Sequence, residues 1–181
     1  MNPEVLYHRE AMSRAIGETM QIRDASAADL PAILAIYNDV VSNTTAIYDQ
    51  HPSTLEARRA WFEERTAKGF PVLVAELSGA VAGFSTFGEW RSRWGYRYTV
   101  EHSVHVRADV RGRGIGRALL EALFPRAQAL HVHMMIGHID SAAAASLRLH
   151  ERLGFTRVGT FSEVGKLRDG WLSVVAVQRV I

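Results

Sequence analysis

Hydrophobic residues near the start of the chain follow first a strand-like and then a helical pattern. Residues 20–23 read as a first strand. Apolar residues then recur at helical spacing over residues 30–41, behind the capping pattern Ser26-x-x-Asp29, and over residues 55–62, behind Ser53-x-x-Glu56. The pattern predicts one strand followed by two helices that each bury one face.

The rest of the chain reads as strands joined first by a hairpin and then by helices. Ser78-Gly79 separates two apolar runs, residues 71–77 and 80–87, and is typical of a two-residue hairpin turn. The predicted order is strand, two helices, three strands, helix, strand, helix and two strands. This order implies an α/β (α+β) fold, in which helices cover both faces of a mixed sheet.

A loop rich in glycine and arginine joins the strand at residues 98–107 to the third helix. It reads Arg111-Gly112-Arg113-Gly114-Ile115-Gly116-Arg117. The first N–H groups of a helix have no internal partner, and the helix dipole adds positive charge there, so this junction can hold a diphosphate. Arg117 stands where a dinucleotide fingerprint needs its last glycine, and the Lys-Ser/Thr of a P-loop is missing. A surface turn with capping glycines is the alternative.

Length and composition indicate one ordinary globular domain. The chain has 181 residues, of which 48% are hydrophobic and 22% charged. Residues 1–19 show little periodicity and are interpreted as an N-terminal extension, with the domain at residues 20–181. Basic residues exceed acidic ones only by 21 to 19, which gives no reason to expect nucleic acid.

The residue types absent from the chain bear on its compartment. There is no cysteine, which excludes disulfides and a thiol nucleophile and fits a reducing environment. No apolar run approaches the length of a membrane span. We therefore expect a cytoplasmic protein without a membrane partner.

The loop pattern Arg111-x-x-Gly114-x-Gly116, placed after a valine-rich strand, resembles the pyrophosphate loop of the GNAT superfamily of N-acetyltransferases. The order of elements over residues 20–181 is that of the same superfamily. Three further segments resemble its phosphinothricin and methionine sulfoximine acetyltransferase branch. They are Phe87-Gly88-x-Trp90-Arg91, Arg97-Tyr98-Thr99-Val100-Glu101-His102-Ser103-Val104 and Leu149-His150-Glu151-x-Leu153-Gly154-Phe155.

The resemblance implies a mostly antiparallel sheet of about seven strands, acetyl-CoA as co-substrate and a homodimer. It also implies that an amine attacks the acetyl thioester directly. The cofactor would be bound by Val104, His105 and Val106 and by the loop from Arg111 to Arg117. A bulge in the strand would direct backbone N–H groups at the thioester carbonyl.

Two residues are candidates for the base that deprotonates the amine, Glu101 and His150. Glu101 shares a strand face with Ser103 and His105, so it can point into a polar cleft. An exposed charge at Glu101 and a structural role for His150 are the alternatives.

The segment after the third strand suggests what is bound. The guanidinium of Arg91 matches a carboxylate or phosphinate, and Trp90 and Tyr98 can wall the pocket together with Glu101. We therefore expect a small amine with an anionic group, and not a polycationic aminoglycoside.

Departures from the branch and rival functions complete the interpretation. Ala143 stands where relatives often carry a cofactor-binding Asn, His105 stands where they commonly carry Tyr, and no tyrosine near residues 153–155 could protonate the thiolate. The alternatives are an acetyltransferase for another amine, such as a peptide N-terminus, and a non-catalytic acyl-CoA-binding module. A zinc site from His131, His133 and His138 is disfavoured because no carboxylate lies at a useful spacing, so no metal is expected.

Overall fold

The computed structural model describes residues 19–168 and 170–181; the predicted extension at residues 1–19 lies outside the described residues except for Thr19. The described strands are β1 (Met20–Asp24), β2 (Val72–Leu77), β3 (Ala80–Glu89), β4 (Thr99–Val106), β5 (Met134–Asp140), β6 (Thr156–Leu167) and β7 (Gly170–Val180). The described helices are α1 (Leu30–Asn43), α2 (Leu55–Ala67), α3 (Ile115–Ala129) and α4 (Ala144–Arg152). The predicted order of elements is confirmed.

The strands form one seven-stranded sheet in the order β1-β2-β3-β4-β5-β7-β6. Strands β4 and β5 run parallel, and every other neighbouring pair is antiparallel. The expected mixed, mostly antiparallel sheet is therefore confirmed, and its parallel pair lies at the centre.

The helices cover both faces of the sheet, as predicted. Val72 and Val74 of β2 pack with α1, whereas Leu73 and Ala75 pack with α3. Because successive side chains of a strand point to opposite faces, α1 and α3 lie on opposite sides. Helix α2 packs on the side of α1, and α4 packs on the side of α3. We call these sides the α1/α2 face and the α3/α4 face.

Local sequence accounts for the hairpin and for the start of α2. Ser78 and Gly79 both have positive φ, 51° and 81°, as a tight hairpin turn requires. The start of α2 differs by one residue from the prediction, because Thr54 and not Ser53 is the N-cap. The Thr54 hydroxyl accepts the N–H of Ala57 at 3.1 Å, whereas the Ser53 N–H donates to the Asn38 side chain.

None of the helices in the described ranges is long and apolar enough to cross a membrane.

The larger apolar core lies between the sheet and α3 and includes Phe87, Leu119 and Leu123. The smaller core, around Phe84, lies beneath α1 and α2. Val100 of β4 belongs to the larger core, and the ring of His105, also on β4, packs against Phe84 on the other side.

Candidate functional site

The parallel strands β4 and β5 separate halfway along their length. Their register runs from Thr99↔Met134 to Glu101↔Ile136 and ends there, although β4 continues to Val106. Backbone N–H groups alternate in direction along a strand, and the backbone N–H of Arg107 donates to the carbonyl of Ala82 in β3. The even-numbered N–H groups of β4, including those of Val104 and Val106, therefore point into the opening.

The bulge expected in β4 is absent. The register with β3 is continuous from Gly83↔Val106 to Glu89↔Val100. The opening arises because β5 diverges, and at this point the His102 ring covers the backbone of Gly137. A Cβ on Gly137 would lie 2.5 Å from Cε1 of His102. Backbone donors reach the opening without the predicted irregularity.

The glycine-rich loop follows β4 and leads into α3, as predicted. Gly112 and Gly114 have φ of 80° and 82°, a region that favours glycine, and Gly114 is the N-cap of α3. Ala118 makes the first backbone bond of the helix, to the carbonyl of Gly114 at 3.0 Å. The N–H groups of residues 115–117 therefore have no partner within the helix.

The space around this helix start fits a diphosphate. No atom lies within 4 Å of a Cβ built on Gly112 or Gly114, so a ligand can approach the backbone. Two of the loop arginines are already engaged. Arg117 pairs with Glu121 at 3.0 Å, and Arg111 donates to the Val106 carbonyl at 3.1 Å. The main-chain N–H groups of residues 115–117 are available to an anion at this helix start.

The side chains of the three β4 residues predicted to contact the cofactor point to opposite faces of the sheet. Val104 and Val106 face α3 and α4, and Val106 lies near Gly116 at the start of α3. The ring of His105 instead lies on the α1/α2 face, 5.1 Å from Phe84 and 6.5 Å from Tyr37. Burial, and then the charges of Arg58 and Arg111, lower the pKa of His105 to about 4. His105 therefore acts as a neutral packing residue.

Glu101 lies on the α1/α2 face, at the point where the two strands separate. Its Oε1 is 2.8 Å from Nδ1 of His138, which projects from β5 on the same face. Both side chains are open to solvent, with exposed fractions of 39% and 32%. In the sequence, His138 was considered only as a ligand of a disfavoured zinc site. The pairing of β5 with β4 places it beside Glu101.

Arg65 is a site residue that sequence reasoning missed. A Cβ on Gly88 would lie 1.3 Å from Nη1 of Arg65, so the guanidinium occupies the space above that glycine. Gly88 pairs directly with Glu101, so Arg65 lies on the same face as the carboxylate. Within the described residues the guanidinium makes no hydrogen bond, and burial lowers the pKa of Arg65 against the opposing charges of Glu64, Glu101 and Glu89. The sequence did contain a signal for Arg65. It lies seven residues, or about two helical turns, after Arg58 and therefore on the same, buried side of α2.

His150 lies away from Glu101, on the α3/α4 face. Its Nε2 is 2.9 Å from Nε2 of His102, and both side chains are buried against Phe155. Its Nδ1 contacts the Ser146 carbonyl at 2.7 Å. Both nitrogens of His150 are therefore engaged inside the protein, and the two predicted bases are not brought together.

The paired histidines can supply only two hydrogens to three contacts when both are neutral. Nδ1 of His102 faces the Ile136 carbonyl at 2.7 Å, and each carbonyl calls for a hydrogen on the nitrogen. The contact between the two Nε2 atoms would need a third hydrogen and hence a buried charge. Burial opposes that charge: it lowers the pKa of His102 to about 3 and also lowers the pKa of His150.

The predicted substrate residues after β3 form a stacked cluster at the surface. The backbone N–H of Trp90 donates to the carbonyl of Thr99, two residues before Glu101 on β4. The Arg91 guanidinium lies 4.7 Å from the Trp90 ring, and Tyr98 is covered by Arg97 at 4.2 Å. Arg91 is exposed, whereas Arg65 lies on the same face as Glu101 and is affected by its charge.

No group of three or more potential metal ligands occurs in the part of the chain that the structure describes.

A groove of about 690 Å³ lies between α3 and the end of α4, and Arg117, Phe124 and Arg152 contribute to its walls. Glu101 is not among its lining residues. The groove therefore extends along α3 from its first turn and does not reach Glu101.

Comparison with known proteins agrees with this geometry. The model of the acetyltransferase (GNAT) family matches residues 33–155. An L-methionine sulfoximine/L-methionine sulfone acetyltransferase from Pseudomonas aeruginosa is 51% identical over 158 residues, which are 87% of this chain and 92% of that protein.

Two solved structures extend the comparison to the fold. A putative acetyltransferase from Salmonella typhimurium, solved with its cofactor acetyl-CoA, has a TM-score of 0.88 and 44% identity over 90% of this chain and 94% of the other. A phosphinothricin acetyltransferase from Sinorhizobium meliloti, in complex with acetyl-CoA, has a TM-score of 0.87 and 37% identity over 90% and 89%.

Proposed function

Because this chain belongs to the GNAT family of acetyltransferases and is an acetyl-CoA-dependent N-acetyltransferase, we propose that its substrates are small amino-acid analogues that carry an anionic group. Methionine sulfoximine, methionine sulfone and phosphinothricin are the candidate amines, as the names of the relatives suggest. The observation that carries the proposal is the guanidinium of Arg65 above Gly88, beside the Glu101 carboxylate.

This arrangement suits an amino acid because it offers each of its charges a partner. An anionic group can accept from the guanidinium of Arg65, which has no other hydrogen bond among the described residues. The ammonium group would then lie towards Glu101 and the opening between β4 and β5. Arg91, with Trp90 and Tyr98 beside it, would line the outer part of the same pocket.

Acetyl-CoA would bind with its diphosphate at the start of α3 and its thioester in the opening. The N–H groups of residues 115–117 and the two positive-φ glycines form the diphosphate site. The inward N–H of Val104 is available to the thioester carbonyl as negative charge develops on its oxygen. Ala143 offers no side-chain amide, so the main chain carries more of the binding at that point.

The reaction is a direct transfer. The amine nitrogen attacks the thioester carbon, a C–N bond forms, the C–S bond breaks and the thiolate of coenzyme A leaves. The ammonium loses one proton before the attack. The hydrogen-bonded pair of Glu101 and His138 accepts that proton. The second proton leaves the nitrogen afterwards and neutralises the thiolate through water.

Thiol release from acetyl-CoA tests the proposal with these amines, polyamines, aminoglycosides and short peptides as acceptors. Arg65→Ala should raise KM for the anionic amines by roughly 10- to 100-fold, the effect of losing a hydrogen bond between charged groups. Gly88→Ala should act in the same direction, since its Cβ displaces the guanidinium. The KM for acetyl-CoA should not change.

Arg59→Ala is the matched control, because Arg59 is an exposed arginine on the same helix. It should leave all constants unchanged. Acetylation of cationic amines or peptides alone, or a normal KM in Arg65→Ala, would contradict the proposed substrate class.

We further infer that the enzyme is a cytoplasmic homodimer. The outer strand β6 and its partner β7 expose apolar side chains at the edge of the sheet, with Val158, Phe161, Val164 and Trp171 between 55% and 61% exposed. A second copy is the proposed cover for this edge. Sedimentation at micromolar concentration should give a dimer for the natural chain and a monomer for Phe161→Glu, and a monomeric natural chain would contradict it. The cytoplasm is where acetyl-CoA is available.

A further inference from the structure

We propose that Nε2 of His138 accepts the proton that the substrate ammonium releases, and that Glu101 holds the His138 ring in the tautomer and orientation this requires. The inference deepens the proposed function and rests on it. It gives Glu101 a different task from the one that the sequence suggested, since the carboxylate becomes the partner of the base.

The hydrogen bond between the two residues fixes the tautomer. An ionised carboxylate can only accept, so Nδ1 of His138, at 2.8 Å from Oε1 of Glu101, must carry a hydrogen. A neutral imidazole has one N–H, so its Nε2 carries a lone pair. A carboxylate on Nδ1 with a free Nε2 is the arrangement that makes histidine a general base in hydrolases.

The position of His138 makes this nitrogen available to a substrate. The side chain is 32% exposed and lies on the α1/α2 face, as do Glu101 and Arg65. An amino acid held by Arg65 beside Glu101 has its ammonium next to the pair. His150, in contrast, has both ring nitrogens engaged and is 5% exposed.

The charged and titratable groups on the elements around His138 come from three of them, and a fourth contributes an uncharged ring. Glu101 and His102 belong to β4, Arg65 to α2, and Asp140 follows on the same face of β5, while β6 contributes the uncharged Phe161 at 6.5 Å between ring centroids. Glu101 is the group in hydrogen-bond contact. Its negative charge stabilises the imidazolium that forms when the ring takes up a proton.

The protons balance in the following way. The ammonium loses one proton to Nε2, which gives a neutral amine and an imidazolium paired with the Glu101 carboxylate. After the C–N bond has formed and the C–S bond has broken, the amide nitrogen gives its remaining extra proton to the thiolate through water. The imidazolium then releases its proton to solvent, and the ring returns to its starting state.

The kinetic test compares the pH dependence of kcat in the natural enzyme, His138→Ala, His138→Asn and Glu101→Gln. The natural enzyme should lose activity on acidification, because a protonated base cannot accept the proton of the ammonium. His138→Ala should lower kcat roughly 100-fold or more and abolish this acid limb. His138→Asn keeps a donor to Glu101 without a titrating group, so it should also lack the limb.

Glu101→Gln should lower kcat and retain part of the activity, because the base is still present and only the charge that stabilises the imidazolium is gone. His133→Ala removes another exposed histidine, just before β5, and should change nothing. If Glu101 itself were the base, Glu101→Gln would abolish activity and the acid limb would persist in His138→Ala. That result would overturn the inference and leave the proposed function intact.

A second measurement does not depend on turnover. The imidazole nitrogen resonances of the full chain, assigned with His138→Ala, should show the hydrogen of His138 on Nδ1 in the natural protein and divided between both nitrogens in Glu101→Ala. A divided hydrogen in the natural protein would show that the pair does not form in solution and would overturn the inference. A natural chain that acetylates no amine would overturn the proposed function, and the role of His138 with it, while the resonances would still report on the pair.

Discussion

Glu101 and His102 are neighbours in the chain and lie on opposite faces of β4, and each contacts a histidine from a distant element. On the α1/α2 face, Glu101 meets His138 in a cleft that both side chains share with solvent. On the α3/α4 face, His102 meets His150 in the core, where their exposed fractions are 8% and 5%. The pleat of one strand thus separates an acid–base pair from a packing pair.

The two pairs differ in whether a charged imidazole is stabilised. The Glu101 carboxylate stabilises a protonated ring at His138, and solvent and substrate can reach that ring. Two imidazoles in the core are most stable without charge, because burial lowers the pKa of both. Histidine occurs in both pairs, and its environment determines whether the protonated ring is stabilised, as at His138, or disfavoured, as at His102 and His150.

The largest expected effect separates the two histidines by stability. His102→Ala leaves a cavity against Phe155 and removes the contacts to Ile136 and His150, so it should cost about 2 to 4 kcal/mol. His138→Ala, at the surface, should change stability by no more than about 0.5 kcal/mol. Urea unfolding at neutral pH measures both, and equal losses would end the distinction between a packing pair and an acid–base pair.

A smaller effect, visible only on acidification, concerns the neutral ring of His105. Its folded pKa of about 4 lies below the ordinary value of about 6.5. Between these values the unfolded chain binds a proton that the folded chain does not, so the free energy of unfolding falls as the pH falls, and it is constant above about 6.5. His105→Phe keeps an aromatic ring near Phe84 and Tyr37 and cannot titrate.

Relative to pH 7.5, the His105→Phe variant should therefore gain about 2 kcal/mol over the natural chain at pH 5, from 1.4 kcal/mol for each pH unit below 6.5. The contribution of His102 is common to both proteins and cancels. Urea unfolding at the two pH values gives the difference, and parallel pH profiles would mean that the folded and unfolded chains protonate His105 to the same extent.

Much of the site could be predicted from the sequence where one continuous segment carries the information. The strand, loop and helix around Arg111 to Gly116 form the predicted helix start, because glycine spacing and apolar period are local signals. The position of Glu101 in a polar cleft follows from alternation along β4 in the same way. The roles of these residues remain predictions until the variants are measured.

What the sequence could not reveal depends on pairing between distant segments. His138 reaches Glu101 only because β4 and β5 run parallel in one particular register, and Arg65 reaches Gly88 only because α2 crosses that face. The side chain of His105 packs against Phe84 and Tyr37 on the α1/α2 face, near the charges of Arg58 and Arg111. A shift of one residue in the strands would have exchanged the faces of His138 and His105.

The sequence by itself determined the order of elements, the hairpin and the glycine-rich helix start, because propensity, capping and hydrophobic period act over a few neighbouring residues. The tertiary structure decided which histidine is open to a substrate and which arginine stands beside the carboxylate. Those choices depend on strand register and helix placement, which follow from the packing of the whole core and are not encoded in any single segment.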